Sequence, residues 1–377
     1  MNTVSFDEAH PAEAEEAYYA NIAEEEEEER EVGTSTNSRA SRLPKLPVTG
    51  VKPLTLDHAD LKQIKRSYSG EEWLIEGLIE RDSVVFIAGD SGSGKSPFLY
   101  QLGIAVASGT PFLGYRTHRG PVLYIDFENG SNAAEKLEST ISKHLGLAEV
   151  PADFRLSLAG FTEPVDRDNI KRLLTKFKPR LCIIDSLRSF DSQAEGKNDR
   201  AGDLMKNLRI LARAHHVTFV VLHHTKKPNE LTPSLEDVPL MVWMNQASGA
   251  RALVNQSDTR IGIDYSKKQL NAKGEGSEEV AFVIRTQTRV EGEAGPIYVA
   301  RVFDDAGDPV GYRKMTGPDL LFNEDHKRAY ASLPPEFTFA DARKALKKPD
   351  QSVNNFLKKC VANDLVKKVA RSQYRKL

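Results

Sequence analysis

The chain has 377 residues with 52 Lys+Arg against 54 Asp+Glu, a formal net charge of −2, so it has room for one large core domain and a small appendage. A run of roughly 18 apolar residues is missing and the first residues are acidic rather than basic-then-apolar. A membrane span and a secretory leader are therefore not expected, and a soluble cytoplasmic protein is. The two cysteines, Cys182 and Cys360, stand far apart in apolar patterns, which supports neither a disulfide framework nor a zinc site.

Residues 1–50 carry 12 Asp/Glu against 4 Lys/Arg, with Glu24 to Glu29 an unbroken acidic run. Poor in large apolar residues, this tail cannot bury enough surface to offset its ordering entropy, so disorder is expected. It either solvates the protein, mimics nucleic acid, or occupies the protein's own basic surface. Residues 51–80 read as a linker and lead-in: Pro44 to Pro53 as linker, Leu61 to Ile79 as a helix ending in EEWLIEGLIERDS.

An apolar run, Ser83 to Ala88, then leads into GDSGSGKS at Gly89, Asp90, Ser91, Gly92, Ser93, Gly94, Lys95 and Ser96, a complete phosphate-loop motif. Its glycines let successive N–H groups face a β-phosphate, and the helix that follows, Phe98 to Ser108, adds its positive end. Lys95 is expected on the β- and γ-phosphates and Ser96 on a magnesium ion. Pro97 is compatible with this, because the first turn of a helix does not use its N–H groups. ATP with Mg2+ is the expected ligand.

Strands and helices alternate from there: a strand at Val122 to Phe127, a helix from Asn132 to Leu145, and a strand at Phe154 to Leu158. A helix at Asp168 to Phe177, a strand at Leu181 to Ile184, a helix from Gly202 to Ala214 and a strand at Thr218 to Leu222 follow. This alternation predicts an α/β domain over 81–320, a mainly parallel sheet with helices on both faces. Arg260 to Asp264, Glu279 to Arg285 and Ile297 to Phe303 read as antiparallel strands added to the sheet edge. No internal repeat is visible, which argues against a solenoid.

Ligands of such sheets bind at the carboxyl ends of the strands. The strand Leu181 to Ile184 closes on Asp185, the form of a Walker B carboxylate that orients magnesium directly or through water. The strand from Val122 closes on Glu128, placed to accept a proton from, or orient, the water that attacks a γ-phosphate. Asp126 lies on the same face and competes for that role; Glu128, nearer the strand end, is favoured. The strand from Val217 closes on His223 and His224, odd as core residues and suited to sensing a γ-phosphate.

In that order, GDSGSGKS, YIDFE, CIIDS and VVLHHTKKP resemble the RecA-type ATPase core. The likeness is closest to the RepA-like branch, the hexameric replicative helicases of mobile plasmids and their AAA-type relatives, and covers roughly residues 70 to 305. EEWLIEGLIERDS, the pair Asn198-Asp199 and TRVEGEAGPIYVARVFD also resemble that branch. The resemblance implies a RecA-like P-loop NTPase fold with antiparallel edge strands and active sites between subunits of a hexameric ring. It implies that Lys95 and Ser96 serve phosphate and magnesium, Asp185 the metal, Glu128 as catalytic base, and His224 as sensor. Arg289 falls where relatives carry a cationic finger that acts on a neighbour's site, and Gln287 where many carry a lysine, with Arg285 as a substitute. In RecA-like rings two loops contact single-stranded DNA, here Phe190 to Ala201 and Lys226 to Ala247. Only Lys226 and Lys227 open the second with charge, before it turns acidic and apolar.

Residues 325–377 carry 13 Lys/Arg against 5 Asp/Glu. Helical periodicity over His326 to Leu333, Phe339 to Leu346 and Gln351 to Asp364, then strands at Leu365 to Val369 and Ser372 to Arg375, resembles a winged helix-turn-helix domain. Its third helix would present Asn354, Asn355 and Lys358 to DNA, with Lys368 and Arg371 on the wing. Two functions follow. One is a ring-forming DNA motor, a helicase or translocase of a mobile element with DNA and replication or recombination proteins as partners. The other is a DNA-bound ATPase switch that recruits a partner without unwinding.

Overall fold

The computed structural model describes residues 72–90, 94–163, 165–167, 169–194, 196–225, 233–246, 251–266 and 281–377. The acidic tail, Ser91, Gly92, Ser93, Lys226 and Lys227 lie outside the described residues. The chain divides into two units, and everything described belongs to the second, Glu71–Leu377.

The lead-in differs from expectation. Trp73–Ile75 (β1) and Ile79–Glu80 (β2) form an antiparallel hairpin, not the end of a helix. Gly77, at φ 71°, makes the turn. Leu74, Ile75, Leu78 and Ile79 are buried together in the core. Their spacing suits one helical stripe as well as a tight hairpin, and the glycine decides between them.

Strand β3 (Val84–Gly89) lies at the centre of a ten-stranded sheet. Val85 and Ile87 pack into one core and Val84, Phe86 and Ala88 into the other, which is why its sequence is continuously apolar rather than alternating. Parallel strands β4 (Val122–Asp126), β5 (Phe154–Leu158), β6 (Leu181–Asp185) and β7 (Thr218–His224) lie on one side, in the order β3-β7-β6-β4-β5. On the other side stand β8 (Thr259–Tyr265), β9 (Ala281–Thr288), β11 (Ile297–Phe303) and β12 (Pro309–Lys314), with the short β10 (Gly292–Glu293) paired to β9.

Strand β8 corrects the sequence reading: it runs parallel to β3, and antiparallel pairing starts only at β9. Between β7 and β8 the chain forms short helices at Leu240–Trp243 and Arg251–Gln256, so the connection is a crossover rather than a hairpin. Strand β12 was not anticipated; its core-facing residues, Gly311 and Tyr312, are too few to stand out as a period.

Helices α1 (Lys95–Ser108), α2 (Ser131–His144), α3 (Ile170–Phe177), α4 (Leu187–Phe190) and α5 (Asn198–Ala214) link the parallel strands. Helix α1 is buried along almost its whole length. It approaches the sheet at Gly103, where a Cβ would sit 2.6 Å from the Phe154 ring and 3.3 Å from Ile183.

The carboxy-terminal residues have their own core around Phe322, Phe337, Val353, Phe356 and Cys360. Three helices, Glu324–Ser332, Phe339–Leu346 and Asp350–Ala362, accompany a three-stranded antiparallel sheet. Its strands are β13 (Glu336–Thr338), β14 (Val366–Ala370) and β15 (Gln373–Lys376), in the order β13-β15-β14. Asp319 joins this part to the core, accepting from Arg313 at 3.0 Å with Lys327 Nζ at 4.0 Å. Among the described residues no helix is long and apolar enough to cross a membrane.

Gly103→Val should be destabilised by about 1–3 kcal/mol, since the buried Phe154 ring has no room to move aside. Urea unfolding of the two proteins measures this; equal midpoints would refute the close approach.

Candidate nucleotide-binding and hydrolysis site

Four parallel strands end side by side at one edge of the sheet. Gly89 of β3 pairs with His224 of β7, and Asp126 of β4 with Asp185 of β6. The phosphate-loop start, the sensor candidate and the two acidic strand ends are thereby brought together by register alone.

Gly94 holds φ 74° and caps α1, a left-handed conformation that favours glycine. Lys95, only 5% exposed, donates to the backbone carbonyl of Asp90. Burial pulls its ammonium below the usual lysine range, while Asp185, Asp90 and Glu128 work against that. Gly94, Lys95, Ser96 and Pro97 line an open cleft of 720 Å³ together with Glu128, Asn129 and His224.

The two acidic strand ends are not equivalent. Asp126 accepts four hydrogen bonds: from the Tyr100 hydroxyl (2.7 Å), the Glu128 and Asn129 amides (both 2.9 Å) and Asn129 Nδ2 (2.8 Å). It is fully buried and saturated, so its work is to shape the turn that presents Glu128. Asp185, equally buried, accepts from the Tyr124 hydroxyl through Oδ2 at 2.7 Å, while Oδ1 is buried without a hydrogen-bond partner. Burial raises its carboxyl to about 6, against the hydroxyls of Tyr124 and Ser96. An orphaned carboxylate oxygen beside a serine hydroxyl is the donor chemistry a hard divalent cation uses, so Ser96 and Asp185 fit magnesium.

Glu128 is exposed at the cleft, and its Oε1 lies 3.3 Å from His224 Nε2. That contact holds the Glu128 carboxyl below its ordinary range, against burial, with help from Ser186. The adjacent histidines separate by strand alternation. His223 is fully buried, its ring 5.6 Å from Phe86, while His224 reaches the cleft and keeps a buried Nδ1 without a hydrogen-bond partner.

Arg289 is not brought to this cleft. It follows Thr288, which pairs with Thr259, itself level with Val85 near the start of β3, so it stands at the opposite edge of the sheet. Its guanidinium donates to the carbonyls of Ser257 (3.1 Å) and Asn255 (3.2 Å) and lies 3.6 Å from Asp258. Arg285 is engaged by Glu293 at 2.6 Å. In the carboxy-terminal part, Asn354, Asn355 and Lys358 are exposed on the helix face opposite Val353, Phe356 and Leu357, and Lys368 and Arg371 are exposed on β14 and the following turn.

Sequence reasoning missed three tyrosines. Tyr100 and Tyr124 pack in a tilted contact with ring centroids 4.4 Å apart, and each hydroxyl serves one buried carboxylate. The signal was available: a tyrosine inside a fully buried strand needs a partner for its hydroxyl. Tyr312, on the unanticipated β12, donates to the Gly94 carbonyl at 2.8 Å.

Residues 51–230 match the family model described as an AAA domain. The DNA repair protein RadA of Streptococcus pyogenes, in serotypes M6, M18 and M1, is 27% identical over 182 residues, covering 47% of this chain and 36% of that protein. The chain thus matches about a third of the length of these curated relatives. Among solved structures, a KaiC-like protein from Pyrococcus horikoshii aligns with a TM-score of 0.40 and 14% identity over 64% of this chain and 94% of its own. The RadB recombinase aligns with 0.40 and 18% over 63% and 92%. The mainly parallel sheet and the motif-bearing strand ends give this chain an α/β core with a phosphate-loop motif, and within it residues 51–230 are similar to the AAA domain family.

Glu128→Gln should keep nucleotide affinity and thermal stability while turnover falls by about 10²-fold or more. Asp126→Ala should instead lose roughly 3 kcal/mol of stability, because four donors lose their acceptor. ATPase assays and melting curves on both variants separate the roles, and preserved turnover in Glu128→Gln would remove it as the base.

The raised Asp185 carboxyl carries a sign. Its stabilising share is present below the unfolded value of 3.8 and is lost as pH rises through about 6. In chelator-containing buffer Asp185→Asn should therefore melt above wild type at neutral pH, with the gap closing towards pH 4. A gap independent of pH would contradict the buried, underpartnered carboxylate.

Proposed function

We propose that this chain is an ATP-hydrolysing motor acting on DNA, built as a homo-oligomeric ring of the RepA-like helicase kind. The observation that carries the reading is the meeting, at one sheet edge, of a buried lysine, an underpartnered buried carboxylate, and an exposed carboxylate held by a histidine. Lys95 neutralises the β- and γ-phosphates of ATP, and loop amides from Gly89 to Ser96 orient them. Ser96 and Asp185 hold magnesium, which supplies charge neutralisation on the phosphate oxygens.

Glu128 orients the attacking water and takes its proton, so it must turn from His224 towards the γ-phosphate. His224 is then free to donate to a γ-phosphate oxygen, which makes the pair responsive to whether tri- or diphosphate is bound. Arg289 serves a neighbouring subunit's site, since it stands at the far edge of its own sheet. To do so it must leave the carbonyls of Ser257 and Asn255. Relatives named for DNA repair support DNA as the partner.

The helix–strand–helix–helix–strand–strand order of the carboxy-terminal part supports the winged-helix reading. Asn354, Asn355 and Lys358 then face a groove while Lys368 and Arg371 contact phosphates. A switch that recruits a partner without unwinding is the second reading, favoured by the engagement of Arg289 with its own chain.

Unwinding of a forked substrate that needs ATP and disappears in Lys95→Ala is expected of the motor. ATP turnover stimulated by duplex DNA without strand separation would point to the switch. Replacing Lys358, Lys368 and Arg371 by Ala should weaken duplex binding and lower the slope of log affinity against log salt by about one for each phosphate-binding cation removed. Unchanged affinity and slope would remove this face as the DNA surface.

A further inference from the structure

Arg301 lies on β11 beside the phosphate loop, and no role follows for it from the motif residues. Its Nη2 is 3.3 Å from the Tyr312 hydroxyl, and that hydroxyl donates to the Gly94 carbonyl. A Cβ added at Gly94 would overlap both Arg301 Nη2 and the Tyr312 hydroxyl, so the guanidinium rests directly against the loop. Its planar group stands 5.3 Å from the Phe282 ring centre and 5.8 Å from that of Tyr312, which takes part of it out of water.

Other arginines of the antiparallel extension have anionic partners: Arg285 has Glu293, Arg289 has Asp258 and Arg313 has Asp319. Among the described residues no carboxylate pairs with Arg301. A partly desolvated guanidinium without an anion is costly, and a fork of N–H donors against a phosphate-binding glycine gains most from a phosphate.

We propose that Arg301 is a nucleotide-binding residue supplied by the same chain, pairing with the polyphosphate of a nucleoside di- or triphosphate at Gly94, with Tyr312 as its positioning residue. The inference rests on the reading of Gly89 to Ser96 as a phosphate cradle. Because Gly94 sits at the start of α1, the contact falls on phosphates that ADP and ATP share. Arg301 is thus distinct from Glu128 and His224, which face the group only ATP carries. Tyr312 holds the guanidinium from one side and the glycine carbonyl from the other, fixing the distance between them.

The test is the affinity of fluorescent ADP and ATP, with tripolyphosphate as competitor, for wild type, Arg301→Met, Arg301→Lys and Tyr312→Phe. Arg301→Met keeps the stem's packing and removes the charge. It should bind both nucleotides and tripolyphosphate about tenfold more weakly or worse, with the nucleotide-free melting temperature unchanged. Arg301→Lys should recover part of the loss, and Tyr312→Phe should show a smaller one.

Affinities within twofold of wild type in Arg301→Met overturn the proposal. So does a loss for nucleotides with tripolyphosphate unaffected, which would place the contact on base or ribose. A loss that Arg301→Lys does not restore, accompanied by a lower melting temperature, assigns the residue to packing and also overturns it. If wild type itself binds no nucleotide, the phosphate-cradle reading has failed and the inference falls with it.

Discussion

Two carboxylates, Asp126 and Asp185, stand opposite each other on neighbouring strands with no exposure to solvent. Burying two acids side by side is expensive unless each charge is met by donors. The chain meets the demand with two tyrosines in ring contact, one from α1 and one from β4, and each hydroxyl reaches a different acid. The consequence is an asymmetry: Asp126 is saturated and becomes scaffold, while Asp185 keeps one oxygen unanswered. From that difference follow the presentation of Glu128 and the fit for a divalent cation, while burial raises the Asp185 carboxyl.

The antiparallel extension gives the site a second wall. Strand β12 is tied to α1 at its start through the Tyr312 hydroxyl to the Gly94 carbonyl and at its middle through its backbone to both ends of the Gln101 amide. Its next residue, Arg313, pairs with Asp319, which also accepts from Thr316 and draws Lys327 of the carboxy-terminal part. A continuous run of hydrogen bonds and ion pairs therefore connects the phosphate-loop glycine to the basic module. The α/β core carries its motif residues on parallel strand ends, and this extension gives them a physical contact with the separate, basic carboxy-terminal part.

Much of the core was legible in the sequence because it rests on local signals. Continuous apolar runs marked β3, β4, β6 and β7, since a strand buried on both faces must be apolar throughout, and the polar residues that end these runs come together at one edge of the sheet. The third carboxy-terminal helix was legible from the spacing of Val353, Phe356, Leu357 and Cys360. What failed depended on pairing, which sequence spacing does not encode. The β1–β2 hairpin has the apolar count of a helix turn, β8 reads the same whether its neighbour is parallel or antiparallel, and β12 carries too short an apolar pattern. Side-chain commitment was equally hidden: Arg289 is engaged by carbonyls more than thirty positions away in sequence, and Tyr312 by a glycine still more distant. The motif fixed which residues have the chemistry, and tertiary pairing decided which of them are free to use it.

A triphosphate is proposed to lie across the ends of β3, β4, β6 and β7. A structure of the full chain with magnesium and a nonhydrolysable ATP analogue tests it most directly. The β-phosphate should lie within hydrogen-bond distance of Lys95 Nζ and the γ-phosphate should face Glu128 and His224, with their mutual contact broken. A nucleotide bound elsewhere, or a Glu128–His224 pair unchanged with the γ-phosphate in place, would contradict it.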